Sequence, residues 1–339
     1  MAVTIRDVAR EAGVSTSTVS KVLNNWSTIS PETISRVRRA IEKLNYIPNA
    51  RAVSFARGAA SNIVFLSSLK KDEAYSNPHM FNILCGVQNE LSRQNYTLMV
   101  TDLPDSVSPS DYLSGLISSR IADGILIHGS VDIPSMAKIL HETQFPHIYI
   151  GHPGADGLLS WIDTNNGLAG QFAARHMLQC HYEKVAFIAE SRENRISMQR
   201  LNGFLGGMYD YGYRLSEDYI RHTDSTREDA CLQTRQVLSL SDPPRAIICE
   251  NSSLALGAVK AIRESGLKIP EQIALLTFDS YPYATLIDPA PTIIDIDVYD
   301  LGTQAAVMLL RKLKNPFLLV QSYTTLPVLK QGKTTRVLQ

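Results

Sequence analysis

The chain has 339 residues with 33 basic and 33 acidic side chains, so its formal net charge is zero. At roughly 150 residues per domain the length predicts two or three domains, and 44% hydrophobic residues is typical of a globular protein. No window approaches the ~18 consecutive apolar residues of a membrane span, and the first residues include acids where a signal peptide needs an apolar core. Cys85, Cys180, Cys231 and Cys249 show no paired spacing, which excludes a disulfide framework and fits a reducing cytoplasm.

The zero net charge hides an asymmetry along the chain. Residues 1–60 hold nine basic and four acidic side chains, a balance of +5, so the remainder carries −5. A small basic segment on a larger acidic body indicates that the segment binds a polyanion. Charge alone fits a solvated basic face equally well.

The N-terminal residues have the pattern of three short helices. Thr4 can cap a first helix whose apolar residues recur at i, i+3, i+4 and i+7, and Gly13 ends it. Ser15 can cap a second helix after about three residues, the length of a helix-turn-helix corner. Ser30 and Pro31 are a cap and a first helical residue, and they start a third helix.

The exposed side of the second predicted helix carries Thr16, Ser17, Ser20 and Lys21. Short hydrogen-bonding groups with one cation suit a helix that enters the major groove of DNA. The alternative is a three-helix bundle whose polar exterior has no such role.

The strings TIRDVAREAGVSTSTVSKVLNN and SPETISRVRRAIEKLNYIPNARAVS resemble the DNA-binding head of the lactose/purine-repressor family. The resemblance is nearly continuous and implies a helix-turn-helix domain over 1–48 and a hinge over 49–60. The residues that it implies for DNA contact are Thr4, Thr16, Ser17, Thr18, Ser20, Lys21, Asn24, Arg51, Phe55 and Arg57.

The hinge departs from the family at one position. In the family the hinge folds when two chains meet on DNA, and a leucine is wedged into the minor groove. Phe55 stands where that leucine is expected. Phenylalanine also serves as such a wedge, although simple packing of hinge against hinge is the alternative. Arg51 and Arg57 are expected to contact phosphates.

After residue 61 short β-rich runs alternate with amphipathic segments. Strands are predicted at IVFLSSL, YTLMVTD, GILIHGS and HIYIGHP, and then at VAFIAE, AIICE and IALLTFD. Helices are predicted over 80–94, 110–119, 134–142, 166–178, 197–211, 228–239 and 252–265. Two such series predict an α/β fold with two doubly wound parallel subdomains behind the three-helix head.

This body resembles the effector-binding core of the same family, which is shaped like a periplasmic sugar-binding protein. The resemblance rests on strings such as IDTNNGLAGQFAARHML, ALGAVKAIRESGLKIPEQIALLTFDS and PTIIDIDVYDLGTQAA. It implies that the chain crosses between subdomains near Asp163, Asp288–Pro291 and Tyr323. The implied subdomains are an N-subdomain of 61–163 and 291–322 and a C-subdomain of 164–290 and 323–339.

Ligands of such folds bind at the carboxyl ends of the strands, between the subdomains. Asp279 and Asn251 end two predicted strands, and Arg200 aligns with a family arginine that reaches the ligand. An arginine fork suits a carboxylate or vicinal hydroxyls. Strand-end polar residues can instead cap the next helix. The expected effector-binding residues are His79, Met80, Asn194, Ile196, Arg200, Asn251 and Asp279.

The sequence gives little support for a metal site or for catalysis. His176 and Cys180 have an i, i+4 spacing that can hold zinc, with His181 adjacent, but no further ligand follows at a regular spacing. No G-x-S-x-G, P-loop or G-x-G-x-x-G motif is present. We therefore expect no metal, no cofactor and no catalysis.

The sequence predicts a sequence-specific transcription regulator, a repressor, that binds a pseudo-palindromic double-stranded DNA operator as a homodimer. A small effector, a sugar or a nucleoside, is expected to control it, in the bacterial cytoplasm at the nucleoid and without a membrane. The alternative is a sugar-binding protein without a transcriptional role, and an α/β enzyme ranks third. No leucine heptad follows the last strand-like run, so no tetramer-forming tail is expected.

Overall fold

The computed structural model describes residues 3–23, 26, 28–46, 60–69, 78–104, 106–131, 134–154, 159–280 and 283–338. The chain divides into two units, Met1–Ser61 and Asn62–Gln339, called here the head and the core. Among the described residues, no helix is both long and apolar enough to cross a membrane.

The head consists of α1 (Ile5–Ala12), α2 (Thr16–Leu23) and α3 (Pro31–Leu44), as predicted. The Asp7 carboxylate accepts hydrogen bonds from Thr4 N at 3.0 Å and from the Thr4 hydroxyl at 2.7 Å, which fixes the start of α1.

A small apolar cluster holds the three helices of the head together. Val8, Val19 and Val37 are fully buried, one from each helix. Gly13 has φ +63°, in the left-handed region that favours glycine, and this residue turns the chain between α1 and α2. One face of α2 packs on this apolar cluster, so the polar face of α2 is exposed.

The core contains two six-stranded sheets within the described residues. The first has the order β11-β5-β4-β3-β1-β2, and all its neighbouring strands are parallel. Its strands are β1 (Asn62–Leu66), β2 (Thr97–Thr101), β3 (Gly124–His128), β4 (His147–Ile150), β5 (Trp161–Thr164) and β11 (Gln321–Thr324). The helices that pack with it are α4 (Pro78–Arg93), α5 (Pro109–Ser119), α6 (Pro134–Thr143) and α11 (Val298–Lys314).

The second sheet has the order β12-β10-β9-β8-β6-β7, in which β12 alone pairs antiparallel. Its strands are β6 (Val185–Ala189), β7 (Ile220–His222), β8 (Ala246–Cys249), β9 (Ala274–Phe278), β10 (Thr292–Asp295) and β12 (Val328–Lys330). Its helices are α7 (Asn166–Gln179), α8 (Arg195–Asp210), α9 (Arg227–Leu238) and α10 (Ser252–Glu264).

Each sheet is buried on both faces, because each lies between two apolar clusters. The central strands β3, β6, β8 and β9 are accordingly buried at every residue. This arrangement confirms the predicted α/β fold with two parallel-stranded halves.

Two crossings between the sheets differ from the implied boundaries. Thr292 pairs with Leu276 of β9, so β10 belongs to the second sheet, although 291–322 was expected in the N-subdomain. Tyr323 pairs with Asp163, so β11 completes the first sheet, although 323 was expected to begin the C-subdomain. The chain changes sheet after Thr164, after Asp295 and after Thr324, in each case where a strand ends.

Glycines allow two pairs of helices to pack at very short range. A Cβ atom on Gly170 of α7 would lie 2.0 Å from the carbonyl oxygen of Arg200 in α8. In the other half, a Cβ atom on Gly302 of α11 would lie 2.0 Å from the carbonyl oxygen of Ile83 in α4. The position of Arg200 therefore depends on the absence of a side chain at Gly170.

Gly170→Ala should destabilise the protein, because the added carbon meets backbone that cannot move without shifting α8. Overpacking of this kind typically costs about 1–3 kcal/mol. Gly206→Ala, on the same helix pair, is the control, because a Cβ atom there meets nothing within 4 Å. It should be neutral or stabilising by up to ~1 kcal/mol. Urea denaturation measures both, and equal stability of the two variants would contradict the packing argument.

Candidate effector cleft and nucleic-acid interface

A buried arginine lies at the carboxyl ends of β8 and β9. Arg200 is 5% exposed, and its Nη1 and Nη2 donate to the two carboxylate oxygens of Asp279 at 2.7 and 3.1 Å. Nη1 also donates to Glu250 Oε1 at 3.1 Å, and Nε donates to Asn166 Oδ1 at 3.1 Å. The guanidinium carbon lies 4.9 Å from the ring centroid of Phe278. This two-pronged pair is the strong form of a charged hydrogen bond.

Asp279 adopts a backbone φ of +62°, which is uncommon for a residue other than glycine. Such a conformation costs roughly 1–3 kcal/mol and persists where its surroundings enforce it. The pairing with Arg200 and a hydrogen bond from Asp279 N to Ile294 O at 3.0 Å hold the residue in place. The carboxylate is thereby fixed beyond the end of β9.

Two asparagines link the Arg200–Asp279 pair to the carboxyl groups of Glu190 and Glu250. Asn251 Nδ2 donates to Glu190 Oε1 at 2.7 Å and to Glu250 Oε2 at 2.8 Å, and the amide of Asn194 donates to the other oxygen of Glu190. The side-chain oxygens of both asparagines accept from the first turns of α10 and α8. The asparagines therefore cap helices and contact the acids at the same time.

Glu190 and Glu250 were missed by the sequence reasoning. Each directly follows a buried strand, β6 or β8, so the available signal was an acid at the end of the strings VAFIAE and AIICE. Acids that follow parallel strands meet at the carboxyl edge of the sheet, which is where Asp279 also lies.

His79 contacts this site from the other half of the core. It lies at the start of α4, and its Nε2 is 3.5 Å from Asp279 Oδ2. A cavity of about 220 Å³ opens beside this contact. Its lining residues are His79, Asn82, Asp279, Ser280, Asp295, Ile296, Asp297, Val298 and Tyr299.

Two further expected site residues differ in their burial. Met80 is 8% exposed and packs in the apolar cluster between α4, α11 and the first sheet, because it falls on the inner face of α4. Its sulfur accepts a hydrogen bond from the Ser67 hydroxyl at 2.9 Å. Ile196 is 46% exposed at the start of α8. Arg200, Asp279, His79, Asn251 and Asn194 thus form one connected polar group, the Arg200 cluster, together with Glu190, Glu250 and Asn166.

Burial raises the pKa values of the carboxyl groups in and beside the Arg200 cluster. It raises the pKa of Glu250 to about 8, with the charges of Glu190 and Asp279 adding to the effect and Arg200 opposing it. Burial also raises the pKa of Glu190, and it raises the pKa of the nearby Asp163 to about 6. Glu250 therefore keeps its proton at neutral pH.

Glu250 should make the protein less stable as the pH rises. Its pKa of about 8 lies above the usual 4.5, so the folded chain keeps a proton that the unfolded chain releases. The stability from this proton is present at low pH and is lost as the pH rises from about 4.5 to about 8. Glu250→Gln should flatten that part of the stability curve, as measured by urea denaturation from pH 5 to 9.

Glu142→Gln is the matched control, because Glu142 is an exposed residue of α6 whose side chain is 60% accessible. Its curve should follow that of the unchanged protein. A Glu250→Gln curve with the same slope as both would show that Glu250 is ionised throughout.

The candidate nucleic-acid interface is the outer face of α2. Thr16, Ser17 and Lys21 are exposed, and Thr18 and Ser20 are partly buried. The Ser15 hydroxyl lies 2.8 Å from that of Ser17 and 2.9 Å from that of Thr18. Thr4 is exposed at the start of α1. Four expected contact residues lie outside the described part of the chain, namely Asn24, Arg51, Phe55 and Arg57.

Trp26 is a residue that the sequence reasoning overlooked. It is 55% exposed, and Lys21 Nζ lies 5.7 Å from its ring centroid. The Trp26 backbone N–H donates to Lys21 O at 3.0 Å, which places the indole beside the last turn of α2. The ring therefore orients the cation on the exposed face of that helix.

Trp26→Ala should weaken DNA binding modestly, because Lys21 loses the ring that orients it. An exposed cation–π contact is worth about 0.5–1 kcal/mol, which corresponds to roughly two- to fivefold in affinity. Fluorescence anisotropy with a duplex selected by the unchanged protein measures the effect, and Trp26→Phe should retain most of the affinity. Equal affinity of Trp26→Ala and the unchanged protein would remove this role.

Comparison with known proteins agrees with the geometry. Residues 4–49 match the family described as bacterial regulatory proteins, lacI family, and residues 174–335 match the periplasmic binding protein-like domain. The chain is 29% identical over 314 residues to the HTH-type transcriptional repressor PurR of Actinobacillus pleuropneumoniae serotype 3 (strain JL03), covering 92% of this chain and 91% of the relative. It is 27% identical over 314 residues to the HTH-type transcriptional repressor CytR of Escherichia coli (strain K12), covering 92% and 90%.

Solved structures show the same fold. The lac repressor dimer bound to operator and the anti-inducer ONPF superposes with a TM-score of 0.82 at 24% identity, covering 99% of this chain and 100% of that chain. The complex of the transcriptional regulator CelR with cellobiose gives 0.72 at 22% identity, covering 98% and 99%. These findings confirm the resemblance seen in the sequence. The relatives are repressors and not enzymes, as expected.

Proposed function

The chain belongs to the lacI family of bacterial regulatory proteins, and on that premise we propose how its residues control transcription. It is a DNA-binding transcriptional repressor that responds to a small-molecule effector. We propose that it acts as a homodimer on a pseudo-palindromic operator, in the bacterial cytoplasm at the nucleoid. The proposed effector class is a sugar or a nucleoside.

The proposed DNA contacts divide between the α2 face and the hinge. Residues 1–48 would form the DNA-binding domain and 49–60 the hinge, with Thr16, Ser17 and Lys21 directed at base edges. The net charge of +5 over residues 1–60 supports this role, because two heads would bring a large positive charge to the phosphates. Two heads related by a twofold axis would read two half-sites.

The proposed effector site is the Arg200 cluster together with the cavity beside His79. The observation that carries the proposal is the 3.5 Å contact between His79 and Asp279, because it joins the start of α4 to the end of β9. A ligand that inserts between these residues must shift one half of the core relative to the other. The change in operator affinity then equals the ligand's difference in affinity for the two arrangements.

The proposed subdomains follow the two sheets rather than the boundaries implied by the resemblance. Residues 62–164, 298–314 and 321–324 would move as one body, and residues 166–295 with 328–338 as the other. The supporting observation is the strand pairing, which assigns β10 to the second sheet and β11 to the first.

A ligand screen followed by operator binding tests the proposal. Sugars and nucleosides are screened by thermal shift, since a ligand at 100 times its Kd adds about 2.7 kcal/mol of stability. The operator Kd is then compared with and without the ligand found, and a ratio of roughly 5–150 is expected. His79→Ala should bring this ratio towards one, whereas His141→Ala, a substitution of an exposed histidine on α6, should not. An unchanged ratio in His79→Ala would refute the site.

A further inference from the structure

Basic side chains collect at one edge of the half of the core that contains the first sheet. The strands of this sheet are parallel, so their first residues lie at one edge, and the helices that lead into them end there. α4, α5 and α11 end at Arg93, Ser119 and Lys314, a few residues before β2, β3 and β11. Asn62 starts β1 at the same edge, which is therefore where the chain enters the core from the head.

Hydrogen bonding and packing bring the ends of α5 and α11 close to this point of entry. Asn62 Nδ2 donates to Ile121 O at 3.0 Å, and Arg120 is the residue directly before Ile121. A Cβ atom on Gly124 would lie 3.4 Å from Cδ2 of Leu313, so the last turn of α11 packs beside the start of β3. The two helix ends and the first residue of β1 therefore form one continuous surface.

The exposed cations of this surface, called here the entry face, are Arg93, Arg120, Arg311 and Lys314. Arg93 lies 3.5 Å from Glu90, whereas the other three form no ion pair with any residue that the structure describes. At this edge five basic residues stand against three acidic ones, namely Arg93, Arg120, Arg311, Lys312 and Lys314 against Glu90, Asp123 and Glu142. The entry face is thus positive, although residues 61–339 carry −5 overall.

A buried lysine fixes the loop between α11 and β11. Lys312 is 3% exposed, and its ammonium group donates to Pro316 O at 3.2 Å and to Leu318 O at 2.6 Å. Because both acceptors are backbone carbonyls, these bonds close the loop onto the end of the helix and leave the positive charge of Lys312 in place. Arg311 and Lys314 therefore project from a backbone that is held in position.

Basic side chains at the end of a helix also offset the negative end of the helix dipole, a role that needs no partner. That partial charge is about half an elementary charge for each helix end. The last turn of α11 carries three basic residues, Arg311, Lys312 and Lys314, and Arg120 stands at the C-cap of α5. The positive charge thus exceeds what the two dipoles require, and the excess can attract a polyanion.

We propose that the entry face binds phosphates of the DNA duplex held by the head, so that the core adds a contact of its own to the operator complex. The inference rests on the proposed function, because the head must first bind DNA. DNA is the polyanion that the page favours, since the polypeptide joins this edge of the core directly to the DNA-binding head. Such contacts release counterions from the duplex and carry no base sequence information.

The salt dependence of operator binding tests the inference with the full chain. The variant combines Arg120→Gln, Arg311→Gln and Lys314→Gln, and fluorescence anisotropy gives its operator Kd at a series of salt concentrations. Each neutralised phosphate adds about 0.9 to the slope of log K against log salt, so one lost contact per protomer lowers the slope of a dimer by about 1.8. The affinity lost at about 50 mM salt should therefore exceed the affinity lost at about 200 mM roughly tenfold.

A control variant removes the same charge from exposed positions of the other half of the core. It combines Arg175→Gln, Arg214→Gln and Arg245→Gln, and its slope should equal that of the unchanged protein. Circular dichroism confirms that both variants are folded.

Two results overturn the proposal. An unchanged slope in the entry-face variant, whatever its stability in urea, shows that these cations serve only the helix ends. An equal fall of the slope in both variants shows an effect of net charge rather than a contact. In either case operator binding persists and the proposed function stands, whereas the proposed function itself is wrong if the unchanged protein binds no DNA.

Discussion

A buried guanidinium cannot remain without partners, and this constraint organises the core around Arg200. Removing an ion from water costs several kcal/mol, and the cost is offset only where geometry and hydrogen bonds are good. Asp279 and Glu250 supply those bonds from the ends of two neighbouring strands, and Asn166 supplies one from the start of α7. This convergence requires the parallel register of β8 and β9 and the close approach of α7 and α8 at Gly170.

The same constraint connects the two halves of the core. Asp279 is already committed to Arg200, yet its Oδ2 also lies 3.5 Å from His79 on α4. Anything that changes the arrangement of Arg200 and Asp279 therefore changes a contact of the opposite half. Glycines at the α4–α11 crossing hold these two helices at short range, so displacement of α4 should also displace α11.

Local sequence signals accounted for the elements and for part of the site. Helical periodicity and caps identified the head, and strand-end position with family resemblance identified Arg200 and Asp279. Strand pairing is not local, so the partners of β10 and β11 could not be read from the sequence, and two boundaries shifted. Glu190 and Glu250 were overlooked because an acid after a strand looks like an ordinary end signal. The resemblance implied that both His79 and Met80 lie at the cleft, but helix geometry turns adjacent side chains to different faces, and Met80 packs in the apolar cluster.

The buried carboxyl group of Glu250 gives a last indication of how the effector cleft is built. A glutamine of nearly the same shape could not take the place of Glu250, because its one carbonyl oxygen would accept from Arg200 or from Asn251 while its NH2 group would face the other donor. Carboxyl groups with perturbed pKa values cluster at functional sites, where their cost is tolerated for an interaction made there. Within the cluster Arg200 is already shared by Asp279 and Glu250, and Glu190 adds a further acid. The protein's own donors therefore account for these carboxyl groups, and the raised pKa of Glu250 means that a change in the hydrogen bonds from Arg200 or Asn251 also changes the protonation of the cleft.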